Sequence, residues 1–266
     1  MKQPLAYIHP EAKIAPNVVI GPFVTIDKDV IIEEGTHIHS NAVILEGTRI
    51  GKNCEIFPSA VIGAVPQDLK FVGEETTVEI GDNTTIREFV TINRGTKAKG
   101  KTVVGNNCLL MAYVHVAHDA IVGDNVILVN GVQVAGEVEI DDWAIVGGLS
   151  AIHQFVRVGK HVMIAGGSLI GKDVPPFVTA GRNPLQYAGV NSIGLKRRKF
   201  SEEQIVDIQN CYRILFQSGM HYSKAIEHIE NTMPVSNERD EILAFTKNSK
   251  RGLIKGYQSD NNKDEE

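Results

Sequence analysis

Isoleucine, leucine or valine returns at every sixth residue along most of the chain. The phase runs unbroken from Ile8 through Ile14 and Ile20 to Ile62, reappears at Ile80, Ile86 and Ile92, and continues from Val104 to Ile170. Of 28 slots in this phase 25 are Ile, Leu or Val, so the period is a structural repeat and not chance clustering. Four residues after a slot the side chain is usually small or β-branched, as at Val18, Val24, Thr36, Ala42, Cys54 and Ala120. Each hexad therefore offers two inward positions. Asp, Asn and Gly recur between slots too often for an α-helix, so short strands must alternate with corners in a solenoid of parallel β-strands. Burying about 25 aliphatic side chains at roughly 1.5–3 kcal/mol each gives tens of kcal/mol before chain entropy offsets most of it. One stacked core can hold such a domain.

Three slots fail, at Asp68, Glu74 and Ala98. A lone carboxylate inside an apolar prism costs several kcal/mol. The chain is therefore expected to leave the coil around Asp68–Glu79 and again around Lys97–Lys101, and loops that interrupt a rigid scaffold are candidate functional positions. Beyond Val174, Pro175 and Pro176 stop the repeat. Ser201 and Gln204 then read as a capping box opening a helix with Ile205, Ile208, Tyr212, Leu215 and Phe216 on one side and Gly219 at its end. Two further helices are predicted near 223–231 and 237–247. The expected organisation is a mainly β repeat domain over 1–185 with two loop excursions, a helical C-terminal domain over 186–257, and a polar, disordered tail over 258–266.

Composition narrows the functional classes. A net charge of −5 argues against non-specific nucleic-acid binding. No stretch approaches about 20 consecutive apolar residues and the N-terminus has no signal-peptide pattern, so no membrane insertion is expected and the cytoplasm is the expected compartment. Cys54, Cys108 and Cys211 form no CxxC pair, which suits structural thiols in a reducing compartment rather than a zinc site or disulfides.

The candidate chemistry centres on Ala117-His118-Asp119. The phase puts His118 outside the core, and Gly136 and Gln154 follow it by 18 and 36 residues, spacings that would stack all three on one face if each coil holds three hexads. An outward His beside backbone bared by glycine could place a general base next to an oxyanion donor. Asp119 could orient the imidazole only if a corner separates the two residues, since adjacent strand residues point to opposite faces. His9, His37, His39, His161, His221 and His228 have no constellation around them in the sequence and read as structural or solvated, with supporting roles left for His115 and His153.

The hexads resemble those of the hexapeptide-repeat acyltransferases, and that resemblance implies a left-handed parallel β-helix with three hexads per coil, capped by a C-terminal α-helical domain; with about 4.8 Å between stacked strands such a helix makes about nine coils and a column roughly 43 Å long. Six strings narrow it: Gln67-Asp68-Leu69-Lys70, Arg94-Gly95-Thr96, Ala117-His118-Asp119, Ile152-His153-Gln154-Phe155, Asp173-Val174-Pro175-Pro176 and Gly194-Leu195-Lys196-Arg197-Arg198. Together, in this order and over nearly the whole chain, they resemble the UDP-N-acetylglucosamine acyltransferase family. The resemblance implies a cytoplasmic homotrimer that moves an (R)-3-hydroxyacyl chain from acyl carrier protein to the 3-hydroxyl of UDP-N-acetylglucosamine, the first step of lipid A biosynthesis. No cofactor or metal is implied. His118 would be the general base, Asp119 its orienting partner and the Gly136 N–H the oxyanion donor. Asp68, Lys70, Gln154, Asn191, Arg197 and Arg198 would contact the sugar nucleotide, Lys196–Lys199 the acidic carrier protein, and Gly166 would act as the acyl-chain ruler. In a strict 18-residue register Asp68 and Gly166 fall on faces other than that of His118, which points to sites completed by a neighbouring subunit.

The sequence departs from the family at Ile193, where Glu is common, at Glu137, where His often follows the glycine, and at Asn93, where His is common. Three other readings stand beside this one. The sister N-acyltransferase normally carries an extra N-terminal domain, a γ-type carbonic anhydrase would need three zinc-binding His at a longer spacing than His115 and His118 provide, and a non-catalytic scaffold would tolerate loss of His118.

Overall fold

The computed structural model describes residues 5–256; the expected tail over 258–266 lies outside them. The chain winds through short strands, most of two residues, that stack into parallel sheets of nine, eight and ten strands. The architecture is the left-handed parallel β-helix with a C-terminal helical cap. The aliphatic slot residues from Ile20 to Ile170 fill its interior and are at most 4% exposed, whereas Asp68, Glu74 and Ala98 lie outside it in the two excursions. Inward hydroxyls at the second position are satisfied by the backbone: Thr36 Oγ1 donates to the Gly51 carbonyl at 2.8 Å and Thr84 Oγ1 to that of Gly105 at 2.7 Å. Buried polar groups therefore leave the stacked core intact.

Most corners turn on the third residue after a slot, which adopts the left-handed conformation whatever its type: Asn41, Asn83 and Asn107, but also Phe23, Phe89, Tyr113 and Leu149. Asn and Asp tolerate this region best, and the aromatic exceptions are held there by the neighbouring coils. Phe23, Phe89, Tyr113 and Leu149 all follow strands of the ten-stranded sheet, so they line one edge of the prism, and each is at least half exposed.

Both excursions preserve the phase because each inserts whole hexads. Ile50 pairs with Ile80 and Ile80 with Val104, so the first adds twelve residues to a coil and the second adds six. The first leaves after strand Val61–Ala64 and returns at Thr77–Ile80; the second lies between Thr91–Asn93 and Lys101–Val104.

Strand Gln186–Val190 pairs antiparallel with Val178–Gly181 at the end of the ten-stranded sheet, so the expected boundary at 185/186 falls inside this ribbon. The helices follow as α1 (Ser192–Arg197), α2 (Glu202–Gln217), α3 (Tyr222–Thr232) and α4 (Asn237–Lys247). The Ser201–Gln204 capping box opens α2, with both reciprocal hydrogen bonds formed. Tyr212 on α2, fully buried, donates to the Pro176 carbonyl at 2.5 Å and fixes the cap to the last coil. No helix among the described residues is long and apolar enough to cross a membrane.

Candidate active site

His118 sits two residues past the slot Val116, where strand His115–Val116 of the nine-stranded sheet turns toward the next strand. Asp119 is the corner residue, with φ +61°. That conformation supplies the bend the sequence could not show, and it folds the carboxylate back so that Asp119 Oδ2 lies 2.9 Å from His118 Nδ1. Asp119 is fully buried. Its oxygens accept from the Thr96 N–H at 3.0 Å, the Thr96 hydroxyl at 2.6 Å and the Lys99 N–H at 3.1 Å. The second excursion, Arg94–Gly100, is thus a collar of donors around one carboxylate.

Burial alone would raise the Asp119 pKa, but the hydrogen bonds from Thr96, His118 and Lys99 together outweigh it and hold the carboxyl below its ordinary value. An ionised Asp119 can only accept, so His118 Nδ1 must carry the proton and Nε2 is left with a free lone pair. Because the folded pKa is depressed, this carboxylate stabilises the fold above the ordinary Asp range, and the contribution disappears as pH falls through the lower folded value.

The register His115↔Gln133↔Ala151 stacks His118, Gly136 and Gln154 in successive coils, as their spacing implies. A Cβ built on Gly136 would lie 2.6 Å from His118 Cε1 and 2.7 Å from Nε2, so the imidazole rests directly on the glycine backbone. The Gly136 N–H has no acceptor among the described residues. Beside this column the outer face of the nine-stranded sheet forms a cleft of about 380 Å³ lined by Gln67, Asn93, His115, His118, Gln133 and Gly136, floored by Ala117, Ala135 and Ala151. His115 is tied to the Thr91 hydroxyl at 2.7 Å, and burial followed by the nearby His118 lowers its pKa, keeping it neutral at pH 7. Asn93, one of the departures from the family pattern, is buried at the cleft wall with its Oδ1 unpartnered among the described residues.

The first excursion brings Asp68 back over this cleft, with Oδ2 3.9 Å from His118 Nε2 in the same protomer. This corrects the expectation from strict 18-residue counting that Asp68 needs a neighbouring subunit to reach His118. A twelve-residue loop is free of the coil's register and is long enough to fold across the face. Asp68 also caps the loop turn by accepting from the Lys70 N–H at 2.9 Å, while the Lys70 side chain is exposed.

Gly166 lies between strand Met163–Ile164 of the ten-stranded sheet and Leu169–Ile170 of the nine-stranded one. It follows a strand of a different sheet from the one His118 follows, in line with 18-residue counting, and it borders the nine-stranded sheet at the edge opposite His118, about three coils further on. Gly167, not Gly166, adopts the positive φ of that corner, and a Cβ on Gly166 meets only the Gly148 carbonyl closely, at 3.1 Å. The turn itself does not require glycine at 166.

The remaining predicted residues gather at another corner of the prism. Asn191 caps α1 by accepting from the Gly194 N–H at 3.2 Å and donates to the His161 carbonyl at 2.9 Å. Each of its amide atoms keeps one hydrogen-bonding direction free. Arg198 lies 5.1 Å over the Trp143 ring and donates through Nη2 to the Trp143 carbonyl at 3.2 Å. Its Nη1 is buried without a partner among the described residues. Beneath it Trp143, His161 and Phe177 stack, and burial, then Arg198 and Lys160, push the His161 pKa down to about 4. Arg197 and Ile193 are exposed on α1. One protomer does not bring Asn191, Arg197 or Arg198 to the His118 cleft.

Comparison with known proteins adds the following. Residues 173–254 match the family described as Udp N-acetylglucosamine O-acyltransferase, Domain 2, residues 101–136 match the bacterial transferase hexapeptide (six repeats), and residues 2–103 match the GMPPB C-terminal domain. A protein of Janthinobacterium sp. (strain Marseille), named acyl-[acyl-carrier-protein]–UDP-N-acetylglucosamine O-acyltransferase, is 44% identical over 95% of this chain and 98% of its own length. A protein of the same name from Myxococcus xanthus (strain DK1622) is 44% identical over 95% of this chain and 98% of its own. The crystal structure of LpxA, a UDP-N-acetylglucosamine acyltransferase from Bacteroides fragilis 9343, superposes with a TM-score of 0.95 at 57% identity, covering 96% of this chain and 100% of that one. LpxA from Acinetobacter baumannii superposes with a TM-score of 0.93 at 43% identity, covering 95% and 99%.

Proposed function

The chain belongs to the UDP-N-acetylglucosamine O-acyltransferase family, whose members are named for acyl transfer from acyl carrier protein to UDP-N-acetylglucosamine, and from that premise we propose how its residues divide the reaction. The chain is an acyltransferase between these two substrates. The transferred group is an (R)-3-hydroxyacyl chain and the acceptor the sugar 3-hydroxyl, which makes the reaction the first step of lipid A biosynthesis, carried out in the cytoplasm without a resident cofactor. The donor chain arrives on the phosphopantetheine of acyl carrier protein.

His118 is the general base. Its Nε2 lone pair takes the proton of the 3-hydroxyl as the sugar oxygen attacks the thioester carbon, and Asp119 stabilises the imidazolium that forms. The Gly136 N–H donates to no acceptor among the described residues and can hold the oxyanion. Collapse breaks the carbon–sulfur bond, and the proton on Nε2 passes to the departing thiolate. The observation that carries this reading is the chain of contacts from the donor collar through buried Asp119 to His118 lying on Gly136. Asp68 and Lys70 would orient the sugar beside Nε2, with Gln154 one coil beyond Gly136. Mass spectrometry of the product formed from UDP-N-acetylglucosamine with 10-, 14- and 16-carbon 3-hydroxyacyl carrier-protein donors tests substrate and acceptor together.

Gly136→Ala should cost about 10²-fold in kcat with little loss of stability, because the added methyl must push the imidazole off its bond to Asp119 and misplacement by about 1 Å is enough for that loss. Stopped-flow thiol release checks it, and a folded variant within about threefold of wild type would contradict it.

The acyl chain is read as lying along the nine-stranded sheet toward Gly166. An open Gly166 favours donors of about 14 or more carbons, since each methylene on apolar surface is worth about 0.8 kcal/mol. Gly166→Met, whose φ suits a side chain although its Cβ must ease the Gly148 carbonyl aside, should shift preference toward shorter donors at unchanged His118 chemistry. Retention of the native ranking, or a native preference for the 10-carbon donor, would overturn the assignment.

Asn191, Arg197 and Arg198 lie at a different corner, so a homotrimer is the arrangement that brings a neighbour's basic corner toward the His118 cleft and lets guanidinium groups meet the diphosphate. The exposed apolar side chains on this edge support it: Phe89 and Tyr113 stack at 5.1 Å in adjacent coils and Leu149 follows two coils on, and an exposed apolar patch of this kind marks an association surface. Sedimentation equilibrium should give a trimer; a fully active monomer would refute it.

A further inference from the structure

We propose that His37, His39 and Glu55 form a binding site for a divalent transition-metal ion such as Zn²⁺ on the outer face of the ten-stranded sheet. His37 and His39 flank the inward slot Ile38, so both imidazoles project outward from one short segment. Glu55 stands opposite His37 in the next coil. Its Oε2 lies 2.8 Å from His39 Nε2 and 3.6 Å from His37 Nδ1, and one ligand atom from each residue falls within a 4.8 Å set. Tetrahedral zinc with bonds of about 2.0–2.2 Å needs ligand atoms roughly 3.3 Å apart, a spacing that small side-chain rotations reach from here.

The donor set selects the ion. Two imidazole nitrogens and one carboxylate suit zinc, cobalt, nickel or copper rather than the oxygen-seeking Mg²⁺ or Ca²⁺. Glu55 forms its ion contacts to the two histidines and to no lysine or arginine among the described residues, so its charge is available to a cation. The side chains are 35%, 29% and 47% exposed, which leaves an entry path and a fourth position for water. Phe57 stacks on His39 at 4.8 Å and is itself covered by Arg87 at 4.5 Å, limiting the ring's rotation. The site lies on a different sheet from strand His115–Val116 and in coils below it, so the ion would clamp two adjacent coils and take no part in acyl transfer.

Isothermal titration of the full chain, freed of metal by chelation, with Zn²⁺ should show one saturable equivalent per chain and a rise in Tm on loading. His39→Ala and Glu55→Gln, both at partly exposed positions, should weaken that binding at least about tenfold and abolish the Tm rise while leaving the circular dichroism and acyl-transfer rate of the metal-free protein unchanged. Absence of a saturable equivalent, or wild-type affinity in either folded variant, would overturn the proposal. The surface-histidine variant His228→Ala should bind as wild type does; loss of binding there instead would equally overturn it.

Discussion

Asp119→Asn is expected to lower kcat by about 10²- to 10⁴-fold while the protein still folds. The isosteric amide cannot satisfy its surroundings. If its oxygen faces the N–H groups of Thr96 and Lys99, its NH₂ points at His118 Nδ1 and the Thr96 hydroxyl. His118 must then accept at Nδ1 and carry its proton on Nε2, the nitrogen that has to be free to act as base; the corresponding tautomer error in a serine protease costs about 10⁴-fold. The other amide orientation sets NH₂ against two N–H donors and leaves buried groups unpaired, at about 1–3 kcal/mol. The stability cost should appear in urea unfolding at pH 7 and shrink toward acid, where the wild-type carboxyl is also protonated. Near-normal turnover by the folded variant would show that Asp119 does not set the tautomer.

His118→Ala is expected to lose at least about 10²-fold in kcat with its fold intact. The ring contributes little to the core: it lies outside the prism, on the Gly136 backbone and beneath Asp68. Its removal leaves Asp119 with its Thr96 and Lys99 donors, so no buried charge is stranded. The loss should fall on kcat more than on KM, because Asp68, Lys70 and Gln154 would still hold the sugar. A drop in affinity at unchanged kcat would instead make His118 a binding residue.

The six-residue phase shows why the column was legible. Every inward slot must be apolar, and even the two excursions keep count because they add whole hexads. His118, Gly136 and Gln154 could be stacked from their 18-residue spacing once the resemblance implied three hexads per coil, and the Ser201 capping box and the helix over Asn237–Lys247 followed from local chemistry. Loop contacts were not legible. The fold of the first excursion across the sheet decides that Asp68 reaches His118, and the backbone donors of Thr96 and Lys99 have no side-chain signature beyond an interrupted repeat. The αL corner at Asp119 is visible only once the third residue after most slots is known to turn. His37 and Glu55 are themselves 18 residues apart, so the same stacking rule would have joined them had it been applied to histidines outside the central motif. Strand Gln186–Val190 escaped the repeat because it runs antiparallel and obeys tertiary pairing instead of the hexad.

The most direct test is a single-turnover reaction of wild type and His118→Ala with UDP-N-acetylglucosamine and a 14-carbon 3-hydroxyacyl carrier-protein donor, with the product located by tandem mass spectrometry. Wild type should place the chain on the sugar 3-oxygen, and His118→Ala should form the same product at least about 10²-fold more slowly at an unchanged Kd for the nucleotide sugar. Equal rates, or a chain carried on any other atom of the sugar, would contradict the assignment of His118 as the base that activates that hydroxyl.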